Sequence, residues 1–142
     1  MVKKLLIILV IICAIITFGA IKVSASIYTE SDAELIAKTV YGEARGCTQD
    51  EMRLVVWTIL QRVGADGFPD SIEGVVLEPK QFQGYRKTNP VDLEIYELVV
   101  EELKKWASGE DPPTYEPWAT DTPYYYFDGR DGSNWFRAGW AR

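Results

Sequence analysis

The chain has 142 residues, 47% apolar, 25% charged and 13% aromatic, which suits the core of one domain and argues against disorder. It has no histidine and two cysteines, Cys13 and Cys47; this excludes Ser-His-Asp and Cys-His catalysis, histidine-bearing or four-cysteine zinc sites and a disulfide framework. A catalyst must then use carboxylates, hydroxyls, amides and aromatics, the groups of glycoside chemistry, and the net charge of −6 gives no pull toward nucleic acid or anionic lipid.

Lys3 and Lys4 precede an almost unbroken apolar run at 5–21, followed by Lys22 and the small-residue pattern Val23-Ser24-Ala25. This layout predicts a signal peptide at 1–25 and a mature domain at 26–142. The competing expectation is an uncleaved membrane anchor, because the run approaches spanning length. Cys13 lacks the small residue expected before a lipidated cysteine, so no lipid anchor is expected. Cleavage would leave 117 residues with a net charge of −9 and Cys47 as the only thiol. The expected product is a secreted or cell-wall-located monomer, with no cofactor or metal, no nucleic-acid partner and no stable membrane insertion.

Ser31-Asp32-Ala33-Glu34 fits a capping box, and Gly46 stops the helix it opens. Thr48-Gln49-Asp50-Glu51 is a second box, opening a helix with Met52, Val55, Val56, Ile59, Leu60 and Val63 that ends at Gly64. Leu54 and Trp57 lie off that stripe, which predicts burial on more than one side and a central position. A short helix is expected at 71–77, then a loop through Gln81-Phe82-Gln83-Gly84-Tyr85. Asn89-Pro90 is read as the cap and first position of a third long helix. Its expected buried face is Tyr96, Val99, Val100, Leu103, Trp106 and Ala107, with Glu101 and Lys105 placed to pair. Aromatic runs at 124–127 and 134–136 flank a turn-rich stretch at 128–133, which predicts an antiparallel hairpin. The expected fold class is α+β, mainly helical.

One residue stands out of place. On a helical wheel Glu43 lies roughly 20° from Ile36 and about 60° from Val40, inside the apolar stripe. Burial and the negative end of the helix dipole should both raise its pKa. A neutral carboxylic acid on a cleft wall can protonate a glycosidic oxygen. The alternative is a buried structural glutamate paired with Arg53 or Arg62.

The segment around Glu43, AKTVYGEARG at 37–46, resembles the A-x-x-V-x-x-E-A-R-G signature of the spore cortex-lytic and cell-wall hydrolase family. Similarity continues through 55–63, which looks like the family's V-x-x-V-I-L-N-R-V helix, and through FPDSIEGVV at 68–76, Pro79 and Gln81-Phe82. The resemblance implies a lysozyme-like, lytic-transglycosylase-like domain that cleaves peptidoglycan glycan strands between N-acetylmuramic acid and N-acetylglucosamine. It also implies that Glu43 is the catalytic acid. Three departures stand in the chain: Cys47 where the family commonly has a second glutamate, Gln61 for the asparagine of N-R-V, and PYYYF at 123–127 for G-A-x-x-F.

Gln81 and Tyr85 are candidate sugar-groove residues, because amides bond sugar hydroxyls and aromatic faces stack on pyranose rings. Phe82 is expected to plug the core. In the aromatic tail, Tyr124, Tyr126 and Trp135 are the further candidates, and strand alternation places Tyr124 and Tyr126 together on one face. Arg45 and Glu73 are read as structural. With one acid, the expected route is a transglycosylase reaction in which Glu43 acts as acid and then base. The other readings are a hydrolytic muramidase or glucosaminidase, which would need a second carboxylate although Asp50 and Glu51 belong to the next helix's cap and Asp121 and Asp128 lie in the unplaced tail, and a non-catalytic peptidoglycan-binding domain. Spore cortex and vegetative wall both stay open as substrate.

Overall fold

The computed structural model describes residues 27–130 and 132–139. The expected signal peptide, Cys13 and Trp140 lie outside the described residues. Among the described residues no helix is long and apolar enough to cross a membrane.

Four helices and a hairpin make up the domain: α1 (Glu30–Ala44), α2 (Gln49–Arg62), α3 (Ile72–Leu77), α4 (Leu93–Ala107), β1 (Tyr126–Arg130) and β2 (Ser133–Arg137). The first helix starts earlier than expected. Its cap is Thr29, whose hydroxyl accepts from the Asp32 N–H while Asp32 accepts from the Thr29 N–H. Aspartate at the third position closes the box as a glutamate would, two residues ahead of the Ser31 reading. The Thr48–Glu51 box forms as expected, and α2 ends before Gly64, whose φ of 74° gives the left-handed turn. Ser71 caps α3.

Helix α2 is the centre of the molecule. Leu54, Val55, Val56, Trp57, Thr58, Ile59 and Leu60 are all buried in succession, and α2 touches α1, α3, α4 and β2. The apolar face of α4 is rotated from its expected position. Ile95, Leu98, Val99, Glu102 and Leu103 are buried, whereas Tyr96, Val100 and Trp106 are half-buried and Ala107 is exposed. The cap is Asp92, not Asn89, and Asn89 has a different task. Glu101 and Lys105 do pair, at 2.9 Å.

The hairpin forms with strands shifted from the expected positions. Tyr126 pairs with Arg137, Phe127 with Phe136, Asp128 with Trp135, Gly129 with Asn134 and Arg130 with Ser133. Directly paired residues share a face, so Phe127 and Phe136 pack inward against Phe82 and Tyr124. Tyr126, Asp128, Trp135 and Arg137 point the other way. The chain before β1 is pinned by α2. Gln61 accepts from the Tyr124 N–H at 3.1 Å and donates to the Tyr124 carbonyl at 3.3 Å, and Arg62 donates through Nε to the Tyr125 carbonyl at 2.8 Å.

Candidate active site

Glu43 is the penultimate residue of α1 and half-buried at the wall of a cleft of about 310 Å³. Arg62 from α2, Lys80, Gln81 and Gln83 from the loop after α3, and Tyr126, Phe127, Asp128, Gly129 and Asn134 from the hairpin complete the lining. The cleft therefore lies where the end of α1, the end of α2 and the hairpin meet. The Glu43 carboxyl accepts the Gly84 N–H through Oε1 at 2.6 Å. Burial pushes its pKa up, while that N–H and the nearby Arg86 guanidinium pull it back part-way.

Neither arginine weighed as a structural partner pairs with Glu43. Arg53 binds Glu101 and Glu102. Arg62, 3% exposed, donates to the Tyr125 carbonyl and to Gln81 Oε1 at 3.1 Å, with its guanidinium 5.0–5.4 Å from the ring centroids of Phe68, Phe82 and Tyr126. Because arginine has no acceptor, this contact fixes the Gln81 amide with its oxygen toward Arg62 and its NH₂ end away from it.

The other candidates separate. Gln81 and Tyr126 share the cleft with Glu43. Tyr85 instead lines a second, larger groove of about 700 Å³ beside Thr29, Leu35, Lys38, Leu77 and Lys87. Tyr124 is a correction. It precedes β1, has no exposed surface and donates its hydroxyl to the Pro113 carbonyl at 3.0 Å, so it is core and cannot meet a glycan. Trp135 sits on the outer hairpin face with Arg130 over its ring, outside the cleft lining. Phe82 is buried, as expected. Arg45 lies over the Tyr41 ring, away from the carboxyl, and Glu73 is exposed in the first turn of α3.

Sequence reasoning missed Lys80 and Asn134, weighed Arg62 only as an ion-pair partner of Glu43 and not as part of the cleft, and left Asp128 in an unplaced tail. Asp128 pairs with Arg137 at 2.5 Å and with Arg130 at 3.8 Å. The hairpin is also tied to the start of α2. Glu51, 2% exposed, closes the Thr48 box through Oε2 and accepts the Asn134 N–H through Oε1 at 2.7 Å. The Asn134 amide reaches Cys47 Sγ at 3.4 Å, and burial raises the pKa of that thiol, with the Glu51 charge adding to the effect. Among the described residues no cluster of three or more cysteine, aspartate or glutamate side chains could hold a metal ion.

The cell wall hydrolase family profile matches residues 46–140. The chain belongs to the cell wall hydrolase family. The matched span begins just after Glu43, so the assignment rests on the helices and hairpin around the cleft. Two curated relatives are similar over a longer stretch and a third over a shorter one. The spore cortex-lytic enzyme of Halalkalibacterium halodurans is 31% identical over 119 residues, covering 81% of this chain and 32% of the relative. That of Bacillus cereus is 35% identical over 101 residues, 71% of this chain and 36% of the relative. That of Oceanobacillus iheyensis is 42% identical over 55 residues, 39% of this chain and 20% of the relative. The chain thus spans about a third or less of the length of these relatives. No solved structure matches.

Proposed function

We propose that this cell wall hydrolase is an exported peptidoglycan glycosidase working as a lytic transglycosylase, with Glu43 as its acid and then its base. The observation that carries the reading is a half-buried carboxyl, raised in pKa, on the wall of a cleft edged by amides and an aromatic ring. The relatives' name, spore cortex-lytic enzyme, fits a peptidoglycan substrate.

Protonated Glu43 gives its proton to the glycosidic oxygen as the bond to the anomeric carbon of N-acetylmuramic acid breaks. The carboxylate left behind takes the proton of the muramyl 6-hydroxyl, whose oxygen closes on the anomeric carbon as a 1,6-anhydro ring. Gln81, its NH₂ end set by Arg62, is placed to donate to an acceptor on the sugar, and Tyr126 offers a ring face. Neither step needs a second carboxylate.

One observation favours a second reading. Asp128 lines the same cleft, and a hydrolytic glycosidase uses two carboxyl groups. Against this stands the ion pairing of Asp128 with Arg137, which engages one of its oxygens.

Purified peptidoglycan digested with the protein separates these readings by mass spectrometry. Anhydro-muramyl ends lie one water below reducing ends and are the expected product. Reducing ends alone would move the assignment to hydrolysis with Asp128. Glu43→Gln should remove roughly 10²–10⁴-fold of the lytic rate with the fold intact, since glutamine keeps the volume but has no proton to give. Wild-type turnover in the folded variant would remove Glu43 from the chemistry. The export claim is checked by the mature N-terminus, expected at Ser26.

A further inference from the structure

A carboxylic acid has two oxygens, and only one of them carries the proton. In this molecule the two oxygens of Glu43 are not equivalent. Oε1 accepts the Gly84 N–H at 2.6 Å, and a peptide N–H can donate but cannot accept. The carbonyl oxygen of a carboxylic acid is a better acceptor than its hydroxyl oxygen, so the Gly84 N–H favours Oε1 as the carbonyl oxygen and Oε2 as the one that carries the proton.

What holds the Gly84 peptide there is a contact between two glycines and one amide. The backbones of Gly42 on α1 and Gly84 on the loop lie against each other; a Cβ at Gly42 would stand 1.9 Å from the Gly84 oxygen, and one at Gly84 would stand 2.4 Å from the Gly42 carbonyl. Asn89 fastens this crossing. Its Nδ2 donates to the Lys38 carbonyl on α1 at 3.0 Å and to the Gly84 carbonyl at 3.0 Å. Both partners are pure acceptors, so the orientation of the amide is forced. Asn89 is thereby a link between the helix that carries Glu43 and the loop that donates to it, although its side chain bonds to Lys38 and Gly84 and not to Glu43, and it is not among the residues lining the cleft.

We propose that Asn89 is a positioning residue which, by locking the Gly84 peptide onto α1, keeps Oε1 of Glu43 occupied and the catalytic proton on Oε2. The proposal rests on Glu43 being the acid of the preceding section. The charged groups around Glu43 are Arg62 from α2, Lys80 and Arg86 from the loop and Asp128 from β1. Arg62 and Asp128 stand on other elements, and Arg86 shares a turn with Asn89 through a backbone bond, Asn89 N–H to the Arg86 carbonyl at 2.9 Å, which side-chain variants at Asn89 keep.

The test combines the pH dependence of the Gly84 amide resonance with that of activity. In the wild type the Gly84 amide proton should shift as Glu43 ionises, with one midpoint shared by the alkaline limb of kcat. In Asn89→Ala that response should shrink. The alkaline limb should move to higher pH, because a hydrogen bond favouring the carboxylate is lost. The kcat value should fall roughly ten- to a hundredfold with KM little changed, the scale of a misplaced catalytic group. Asn89→Ser, which keeps one donor, should fall between the two and serves if the alanine variant does not fold. A wild-type Gly84 amide that ignores the ionisation of Glu43 overturns the proposal. So does a folded variant at Asn89 with an unmoved limb and an unmoved Gly84 response, whatever its loss of thermal stability. If the Gly84 response follows Asn89 while Glu43→Gln keeps full activity, the lock stands and the catalytic reading of Glu43 is the one that fails.

Discussion

At Glu43 three influences meet, and burial outweighs the two that favour ionisation, the Gly84 N–H and the Arg86 guanidinium. The folded-state pKa therefore stands above the unfolded one. Such a carboxyl adds to stability in full below the ordinary carboxylate range, and the contribution is lost as pH rises through the folded pKa. Glutamine at this position never ionises. The melting temperature of Glu43→Gln should therefore exceed that of the wild type by a margin that grows from acid toward neutral pH and then levels. A thermal-shift series across pH reads this, and a constant margin would mean that burial does not act on the ionisation. The place of Glu43 was legible because a charge on an apolar stripe breaks a simple period, which a wheel exposes. Its surroundings were legible only at Gln81 and Tyr126, which share its cleft. Arg62, Asp128 and Asn89 carry no local anomaly in the sequence and acquire their roles only when a helix end, a strand and a loop distant in the chain fold together. Tyr124 failed for the opposite reason: an aromatic in an aromatic run gives no sign of which member the helices will cover.

Among the elements, those defined by short-range chemistry were legible almost to the residue. The Thr48–Glu51 box and the Gly64 stop each rest on a side chain or a left-handed φ within a few positions of the helix end. Two caps were misread where a rival residue lay nearby, Thr29 ahead of Ser31 and Asp92 after Asn89. In the second case the asparagine side chain is engaged between Lys38 and Gly84, a long-range use that no local pattern announces. The same crossing reverses a common rule. Glycine to alanine inside a helix is ordinarily favourable by about 0.5–1 kcal/mol. Gly42→Ala should instead lower the melting temperature and the lytic rate, because the new methyl would stand 1.9 Å from the Gly84 oxygen and 2.8 Å from Asn89 Nδ2 and drive the loop off α1. Gly46→Ala is the matched control, since a Cβ there meets nothing within 4 Å. Equal behaviour of the two variants would show that the loop yields freely.

Over the whole molecule, α2 organises everything else, and its side chains divide between two tasks. Toward the C-terminal end Gln61 and Arg62 hold the segment that leads into the hairpin and so shape the cleft. Earlier along the helix, Arg53 and Trp57 bind α4 through Glu102, which is 1% exposed, accepts from the Trp57 indole at 2.7 Å and pairs with Arg53 and with Lys105 at 2.9 Å. None of these four residues lines the Glu43 cleft. Stability and chemistry are thus carried by separate parts of one helix. Removing one partner of a buried, hydrogen-bonded ion pair leaves the others desolvated and typically costs about 3–5 kcal/mol. Its neighbour Glu101 also pairs with Arg53 and Lys105, but its side chain is 52% exposed, and exposed pairs contribute up to about 1 kcal/mol. Glu102→Ala should therefore lower the denaturant midpoint by several times as much as Glu101→Ala, with the slope of unfolding unchanged in both. At temperatures where each variant is folded, both should clear cell walls at the wild-type rate. Comparable midpoints for the two would show that burial adds nothing to this network, and a folded Glu102→Ala protein without activity would show that the two parts of α2 are coupled after all.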